Sequence, residues 1–430
     1  PNMAACGWTC PVVVLILTVF CVSPRVQGER SLHFVSLVYR HGDRSPVSAF
    51  PNDVNTEDTW PQGFGQLSQE GMRQQHDLGT FLRDRYVKPD FLNSSYNRHQ
   101  IQVWSTDVDR TLMSAQADLS GLFPPSGDQV WNPAIPWQPV PVHTRPVLED
   151  VLLRPMDVPC PKYSKLTEEF KLTDPELNRL EEENKVFLEN VTRWANWGTP
   201  QHIMDVWQTA DPLHCEKAHN RTLPAWVTPE VYARLQNLSA FGMFSLFSGK
   251  ERSRLTGGTL LGAMVHNMTQ AKEGTLVDKS LRVIMYSAHD TTLAGLHSAM
   301  GTVNDLQPPY ASCVMVELYR EDSGEFTVEV WYRNDSSRPP YQLPVPGCPD
   351  PPDPCSYQQF LNATRDAIPV DRARECQLGI TDIWTIQVIA GVAAGAFIVM
   401  AIGIVVLVGC VRRYKRRDQY LRDWGSSETI

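Results

Sequence analysis

The segment from Arg40 to Pro46, with the sequence RHGDRSP, combines residue types that suit phosphoryl chemistry. A histidine lies between two arginines directly after an apolar stretch, and the glycine that follows permits a tight backbone turn. A lone histidine is more often structural, but guanidinium groups match the oxygens of phosphate and are costly to crowd together without an anion. The segment therefore predicts attack of His41 on a phosphoryl group whose non-bridging oxygens are held by Arg40 and Arg44.

This segment resembles the R-H-G-x-R-x-P signature of the histidine acid phosphatases. Four other segments look similar to the same family, at residues 60–67 (WPQGFGQL), 105–111 (STDVDRT), 286–292 (YSAHDTT) and 309–313 (PYASC). The resemblance extends from residue 31 to residue 376. It is therefore a resemblance of a whole domain rather than of one motif.

The resemblance implies a catalytic role for six residues. His41 would be the nucleophile that becomes phosphohistidine, and Asp290 would protonate the leaving alkoxide. The phosphate would be bound by Arg40, Arg44, Arg110 and His289. These roles meet the needs of phosphoryl transfer, which are an in-line nucleophile, neutralised equatorial oxygens and an acid for the departing oxygen.

The resemblance implies neither a metal nor another cofactor, and it implies small phosphate monoesters as substrates, with phosphoproteins as further candidates. A histidine-aspartate pair such as His289 and Asp290 is a metal site in other proteins, and Asp107 with Asp109 could suggest one too. Further histidine ligands are lacking nearby in the sequence. We therefore favour a helix cap for one of the latter two aspartates over a metal role.

The same residues predict activity at acidic pH. Three arginines near His41 disfavour its protonated form, so it stays a neutral nucleophile at a pH where an ordinary histidine is charged. The arginines also favour the ionised form of Asp290, so raising the pH removes the proton that this residue must donate. The hypothesis is that activity falls from acid toward neutral pH.

Strands and helices alternate around these motifs. Buried strands are predicted at Leu32–Arg40, Ile101–Trp104 and Leu281–Ser287. Helices are predicted at Ser68–Tyr86, after Thr111 as far as Leu122, and at Thr291–Met300. Such alternation is typical of an α/β fold, and the functional crevice then lies at the carboxyl ends of parallel strands. The predicted fold is a mixed, largely parallel sheet flanked by helices, similar to phosphoglycerate mutase.

Two regions depart from this alternation. Residues 160–255 are rich in helix-favouring residues and have few β-branched runs, which predicts a smaller, mainly helical insertion. Residues 314–319 and 327–332, joined around Asp322-Ser323-Gly324, predict a late hairpin.

The ends of the chain predict a single-pass membrane protein. Residues 12–22 form an apolar run of the length of the hydrophobic core of a signal peptide, so residues 1–28 are predicted to be a cleaved signal peptide. Residues 388–411 form an uncharged run of 24 residues within a predicted transmembrane segment at 384–411. Five basic residues follow between Arg412 and Arg417, so residues 412–430 are predicted to be cytoplasmic and residues 29–383 luminal. The formal net charge of -9 argues against a nucleic-acid partner.

Sequons and cysteines agree with an oxidising lumen. The predicted glycosylation sites are Asn93, Asn190, Asn220, Asn237, Asn267, Asn334 and Asn362. The six cysteines of the predicted luminal part favour disulfides over a zinc site because no C-x-x-C pair occurs among them, and they allow 15 pairings. Resemblance implies the pairs Cys160 with Cys376, Cys215 with Cys313, and Cys348 with Cys355.

The sequence leaves alternatives open for the membrane in which the protein lies and for its activity. Resemblance implies a homodimer and a lysosomal membrane, but the tail lacks a bulky hydrophobic residue three positions after Tyr414 or Tyr420, so the plasma membrane or an endosome stays open. The rival hypotheses are a catalytically silent membrane glycoprotein that uses this scaffold for binding or adhesion, and a narrower enzyme acting on inositol phosphates.

Overall fold

The computed structural model describes residues 30–379, 395 and 397–417. The predicted signal peptide at residues 1–28 lies outside the described residues, as do the last 13 residues of the predicted cytoplasmic tail, 418–430.

A seven-stranded mixed sheet forms the centre of the protein. Its strands are β1 (Ser31–Arg40), β2 (Ile101–Ser105), β3 (Val283–Ala288), β4 (Cys313–Arg320), β5 (Phe326–Arg333), β6 (Tyr341–Gln342) and β7 (Cys355–Ser356). The order is β2-β3-β1-β4-β5-β6, and β7 pairs with β5. Strands β2, β3 and β1 are parallel, whereas β4 to β7 are antiparallel additions. The predicted mixed α/β sheet is confirmed, with its parallel part limited to three strands.

Eleven helices are described between residues 69 and 375. They are α1 (Gln69–Tyr86), α2 (Asp109–Leu122), α3 (Pro161–Thr173), α4 (Pro175–Trp194), α5 (Trp207–Ala218), α6 (Pro229–Ser245), α7 (Lys250–Leu255), α8 (Gly257–Glu273), α9 (Asp290–Met300), α10 (Tyr357–Thr364) and α11 (Arg372–Glu375). Helix α1 begins where predicted, because the Ser68 side chain accepts a hydrogen bond from the Gly71 backbone. Helix α2 differs from expectation: its N-cap is Val108 and no side chain caps it, so Asp109 lies in the first turn instead.

Alternating side chains of β1 build two hydrophobic cores, one on each face of the sheet. Leu37 and Tyr39 pack with residues of α1 and α2, while Phe34 and Val38 pack with residues of α8 and α9. Each fully buried side chain of this size stabilises the fold by about 1.5–3 kcal/mol relative to an exposed one. The sheet is therefore covered on both faces, and its strand ends are held rigidly.

Residues 160–255, all of which the structure describes, contain the five helices α3 to α7 and no strand. Leu188, Val191 and Leu213 lie in a hydrophobic core that belongs mainly to these helices. Phe50, from the connection that follows β1, packs into the same core. The insertion is thereby attached to the segment that carries the RHGDRSP motif.

Two of the three implied disulfides are present, Cys160–Cys376 and Cys348–Cys355. The implied pair of Cys215 and Cys313 is not formed, and both thiols are buried and free. Cys215 lies on α5 with its sulfur near the Tyr310 hydroxyl, whereas Cys313 packs in the core between the sheet and α1 and α2. The two side chains belong to different packing environments, and this pair is corrected accordingly.

The predicted glycosylation sites differ in exposure. Four of the asparagines are exposed, namely Asn93, Asn220, Asn237 and Asn362, and three are half-buried, namely Asn190, Asn267 and Asn334. Their modification stays a prediction.

A separate helix from Phe397 to Arg417 is long and apolar enough to cross a membrane. It overlaps the second half of the predicted transmembrane segment and continues through the five basic residues after Val411. Residues 384–394 and 396 of that segment lie outside the described residues.

Candidate active site

The carboxyl ends of the three parallel strands meet at one edge of the sheet, as the sequence predicted. The backbone N–H of His41, just after β1, donates to the Ala288 carbonyl at the end of β3 (3.0 Å). The N–H of Thr106, just after β2, donates to the Ser287 carbonyl (3.2 Å). These bonds continue the strand pairing into the loops, so the segments that carry His41, Arg110 and His289 converge.

Helices α1 and α2 hold the loop after β1 from behind. The side chain of Gln75 donates to the Arg40 carbonyl (2.8 Å), and the Gly42 N–H donates to the Ser114 hydroxyl (3.2 Å). A Cβ atom on Gly42 would lie 2.3 Å from the Gly71 carbonyl oxygen. Gly42 is thus required for close approach to α1 rather than for the tight turn that its type first suggests.

One cavity of about 360 Å³ is lined by all six residues to which the resemblance gives a role. They are Arg40, His41, Arg44, Arg110, His289 and Asp290. The rings of His41 and His289 are edge-on to each other with centroids 5.5 Å apart. Residues that are up to 250 positions apart in the sequence therefore share a single concave site.

One ring nitrogen of His41 is bound by the loop that carries it. Its Nδ1 lies 2.8 Å from the Gly42 carbonyl oxygen, which can only accept, so Nδ1 carries the proton and Nε2 is left unprotonated. Burial, followed by the charges of Arg110, Arg40 and Arg44, lowers the pKa of His41 well below its usual value. A neutral imidazole with a free Nε2 is the nucleophilic form.

Carboxylates orient two of the arginines. Arg44 makes two hydrogen bonds to the carboxylate of Asp211, of 2.9 and 3.1 Å. Arg40 pairs with Asp290 (2.8 Å), and it also donates to the Pro308 carbonyl (2.7 Å). Burial alone would raise the pKa of Asp290, but the charges of Arg40 and Arg44 outweigh it and the pKa of this carboxyl lies below its usual value.

Arg110 and His289 are neighbours in the lining of the cavity. Arg110 Nη2 lies 3.4 Å from His289 Nδ1, and no carboxylate pairs with this arginine among the described ion pairs. Burial, together with the nearby charge of Arg44, lowers the pKa of Arg110 to about 10. Burial and the charges of Arg110 and Arg154 likewise lower the pKa of His289 well below its usual value. Arg110 therefore has donors that a phosphate oxygen could accept.

Three residues of the site were missed by the sequence analysis. Asp211 on α5 orients Arg44, the ring of Tyr310 lies under the Arg40 guanidinium (4.2 Å), and Arg154 lines the cavity beside His289. Tyr310 lies in a segment that resembles the family, but Asp211 and Arg154 carry no local signal because only packing brings them to the strand ends.

The remaining wall of the cavity is largely apolar. Met204, Trp207, Met243 and Phe247 contribute to it, and all four lie within the insertion at residues 160–255. A charged floor with an apolar wall suits a ligand that has an anionic head and an organic remainder. Within the described part of the chain, no group of three or more His, Cys, Asp or Glu side chains is arranged to hold a metal ion.

The fold and this cavity are those of a phosphatase class, and the sequence agrees: residues 31–333 match the model of the Histidine phosphatase superfamily (branch 2), and the chain belongs to this family. Among individual relatives, lysosomal acid phosphatase of Bos taurus is 45% identical over 407 residues, covering 94% of each chain. Prostatic acid phosphatase of Bos taurus is 44% identical over 353 residues, which is 81% of this chain and 88% of the relative.

Solved structures with low sequence identity share the fold. The apo form of Hafnia alvei phytase superposes with a TM-score of 0.61 at 16% identity, covering 81% of this chain and 99% of the phytase. The phytase of Klebsiella sp. ASR1 gives a TM-score of 0.59 at 17% identity, covering 82% and 100%. These likenesses concern the architecture alone.

Proposed function

We propose that this protein is an acid phosphatase that hydrolyses phosphate monoesters through a phosphohistidine intermediate. The observation that carries the proposal is the free Nε2 of neutral His41 in a cavity shared with Arg40, Arg44 and Arg110. An imidazole lone pair that shares a cavity with three guanidinium groups suits attack on phosphorus.

The reaction has two steps. In the first, Nε2 of His41 forms a bond to phosphorus, the ester P–O bond breaks, and the departing oxygen takes the proton of Asp290. In the second, a water oxygen bonds to phosphorus, the N–P bond breaks to release phosphate, and Asp290 takes back a proton from the water. Arg40, Arg44, Arg110 and His289 neutralise the non-bridging oxygens in both steps.

Neither a metal nor another cofactor has a part in this proposal. The arginines supply the positive charge that metal ions supply in other phosphoryl-transfer sites. The substrates are small phosphate monoesters, and the apolar wall of the cavity favours those with an organic remainder; phosphoproteins with an accessible phosphorylated side chain are a further candidate. An inositol phosphate carries several phosphate groups, and the apolar wall has few cationic side chains to bind the additional ones. This alternative is therefore less favoured.

The proposed setting is a glycosylated, single-pass protein of the lysosomal membrane whose catalytic domain is luminal. The names of the lysosomal relatives, the apolar helix from Phe397 to Arg417 and the basic residues at its end support this arrangement. The plasma membrane and endosomes remain the alternative location. A homodimer is proposed from the family resemblance.

The test is chemical trapping of the phosphoenzyme. Full-length protein in detergent is mixed with a phosphate ester labelled on phosphorus at pH about 5, quenched in denaturant at alkaline pH to protect phosphohistidine, and compared with His41→Ala. We expect labelled wild-type protein and no label in the variant. A folded wild-type protein that neither releases phosphate nor becomes labelled would support the silent membrane glycoprotein instead.

A further inference from the structure

A second hollow, a groove of about 940 Å³, lies beside the catalytic cavity. One of its walls is a face of α6 in the insertion, and the facing wall is formed by residues 298–307, which include the end of α9 and the turn after it. Gln236 and Phe247 line both hollows, whereas the six residues with implied catalytic roles line only the cavity. The groove is therefore a feature of its own, between the insertion and the sheet with its flanking helices.

A predicted glycosylation site opens into this groove. Asn237, Ala240, Phe241 and Phe244 line it together, and their spacing of three, four and seven residues places them on one face of α6. Asn237 begins the sequon at residues 237–239, and its side chain is exposed and makes no hydrogen bond to another described residue. A glycan attached to this side chain would begin inside the groove.

The groove offers the two kinds of contact that a sugar chain uses. Phe170 and Phe241 are half-buried, and Leu306 on the rim is 66% exposed, so apolar surface is available to the C–H faces of sugar rings. The side chains of Asp305 and Gln307 make no hydrogen bond within the described part of the chain, and their oxygens can accept from sugar hydroxyls.

We propose that the N-linked glycan of Asn237 folds back into this groove and covers Phe241 and Leu306. Each sugar contact is weak, but attachment at the wall of the groove raises the effective concentration of the glycan there to the millimolar range. The docked glycan bridges α6 and the turn after α9, and it shields apolar surface that would otherwise face water. The inference rests on the proposed glycosylated, luminal setting and is independent of the catalytic proposal.

The rate of enzymatic deglycosylation at each site tests the docking. Full-length protein from cells that add N-glycans is kept folded in detergent and treated with peptide-N-glycosidase, and mass spectrometry of glycopeptides follows each asparagine. Asn93 is the internal reference, because it is exposed and does not line the groove. We expect release at Asn237 to be about tenfold slower than at Asn93 in the folded protein, because the docked glycan must first detach. The two rates should become equal after denaturation.

Variants of the groove separate docking from other causes of slow release. Leu306→Gln keeps the sequon and changes an exposed side chain, so it should accelerate release at Asn237 without lowering the melting temperature. Phe241→Gln should accelerate it further, with its melting temperature measured in parallel. Val277→Gln is the matched control, because Val277 is a fully exposed apolar residue that does not line the groove. It should leave release at Asn237 unchanged.

Hydrogen exchange reports the cover itself. Loss of the glycan in Asn237→Gln should accelerate backbone exchange in residues 301–307, whereas Asn93→Gln, which also loses one glycan, should not. Unchanged exchange in Asn237→Gln would overturn the inference and would mean that another molecule, such as a second copy of this chain, covers the groove.

The remaining outcomes also decide the matter. A glycan at Asn93 with none at Asn237, or equal release rates at the two sites in the folded protein, would overturn the inference alone. Slow release that both groove variants leave unchanged would overturn it too, because the protection would then come from elsewhere. A chain without any glycan would contradict the proposed luminal setting as well, and neither result would alter the outcome of the phosphoenzyme trapping experiment.

Discussion

At the scale of single residues, the chemistry depends on two groups whose pKa values lie below their usual ones. Burial is the largest cause that keeps His41 neutral, ahead of the arginines on which the sequence argument relied. Asp290 is ionised in the free protein because its arginine neighbours outweigh its burial. The nucleophile His41 is therefore neutral over a wide pH range, whereas the acid Asp290 carries its proton only at low pH.

This difference determines the sign of the pH dependence. Because the pKa of Asp290 is lowered, the fraction that carries a proton decreases about tenfold for each pH unit above that pKa. His41 stays neutral over the same range and contributes little to the change. We expect kcat/KM for a phosphate monoester to fall as the pH rises from about 4 to about 7. An initial-rate profile that climbs through neutrality would contradict this account.

The acid role of Asp290 predicts a dependence on the leaving group. In Asp290→Asn the rate for an alkyl phosphate should fall by about 10²–10³-fold, because a poor leaving group needs the proton. The rate for p-nitrophenyl phosphate should fall much less, since nitrophenolate leaves without one. Steady-state rates with both esters make each variant its own control. Equal losses for both substrates would assign Asp290 to binding or to orienting Arg40 instead.

At the scale of elements, α1 and α2 determine where the catalytic loop can lie. The two helices approach closely through glycine: a Cβ on Gly79 would lie 1.9 Å from the Asp118 carbonyl oxygen. Their partner atoms are backbone atoms, which cannot move aside as a flexible side chain can. The position of the loop that carries His41 therefore depends on small residues on its supporting helices.

Gly79→Ala is expected to destabilise the protein by about 3 kcal/mol, because overpacking forces α1 and α2 apart. Gly198→Ala is the matched control, since Gly198 has no atom within 4 Å of a new Cβ. Urea unfolding of the two variants measures the difference. A Gly79→Ala protein as stable as the control would show that the helix pair can separate without cost.

A second element-scale feature links α5 to the connection after β1. Glu216 on α5 is buried beside Asp53, and burial together with this second carboxyl raises the pKa of Glu216 well above its usual value. In the pH range between the usual value and the raised one, the folded protein holds a proton that the unfolded chain releases. The contribution of this pair to stability is therefore greatest in acid and is lost as the pH rises.

We expect the melting temperature of wild type to fall between pH about 5 and about 8, and Glu216→Gln to reduce that fall because its neutral amide does not titrate. Differential scanning calorimetry at several pH values measures both. Glu182→Gln, on an exposed position of α4, serves as the control and should keep the slope of wild type. The same slope in Glu216→Gln would exclude this carboxyl as its source.

At the scale of the whole molecule, the insertion is covalently tied to the end of the domain. The Cys160–Cys376 disulfide joins the residue before α3 to the residue after α11, with a sequence separation of 216. The Cys348–Cys355 disulfide closes a separation of only 7. In the chain-entropy description, the longer loop restricts the unfolded state more strongly.

Removing each disulfide by paired alanine substitutions should therefore have unequal effects. Loss of Cys160–Cys376 is expected to cost about 3 kcal/mol more than loss of Cys348–Cys355. Denaturant unfolding of the two double variants under non-reducing conditions measures the difference. Equal costs would mean that the unfolded chain is already compact near the longer crosslink, or that strain offsets the entropy.

The sequence alone determined strands β1 to β5 and helices α1, α2 and α9 beside them, and through the family resemblance it determined six residues that share the cavity. These features are local: apolar runs specify buried strands, Ser68 caps α1, and the motifs lie at strand ends that a parallel arrangement must bring together. The family resemblance supplied candidate roles for the six residues because each of them lies within a short continuous motif.

Only the tertiary structure decided which groups outside the motifs complete the site. Asp211 reaches Arg44 because α5 packs against the connection after β1, and Arg154 reaches His289 through a turn that follows no recognisable motif. Packing also separated Cys215 from Cys313, against the implied pairing. Such contacts depend on how segments remote in the sequence pack together, and local residue patterns do not predict that packing.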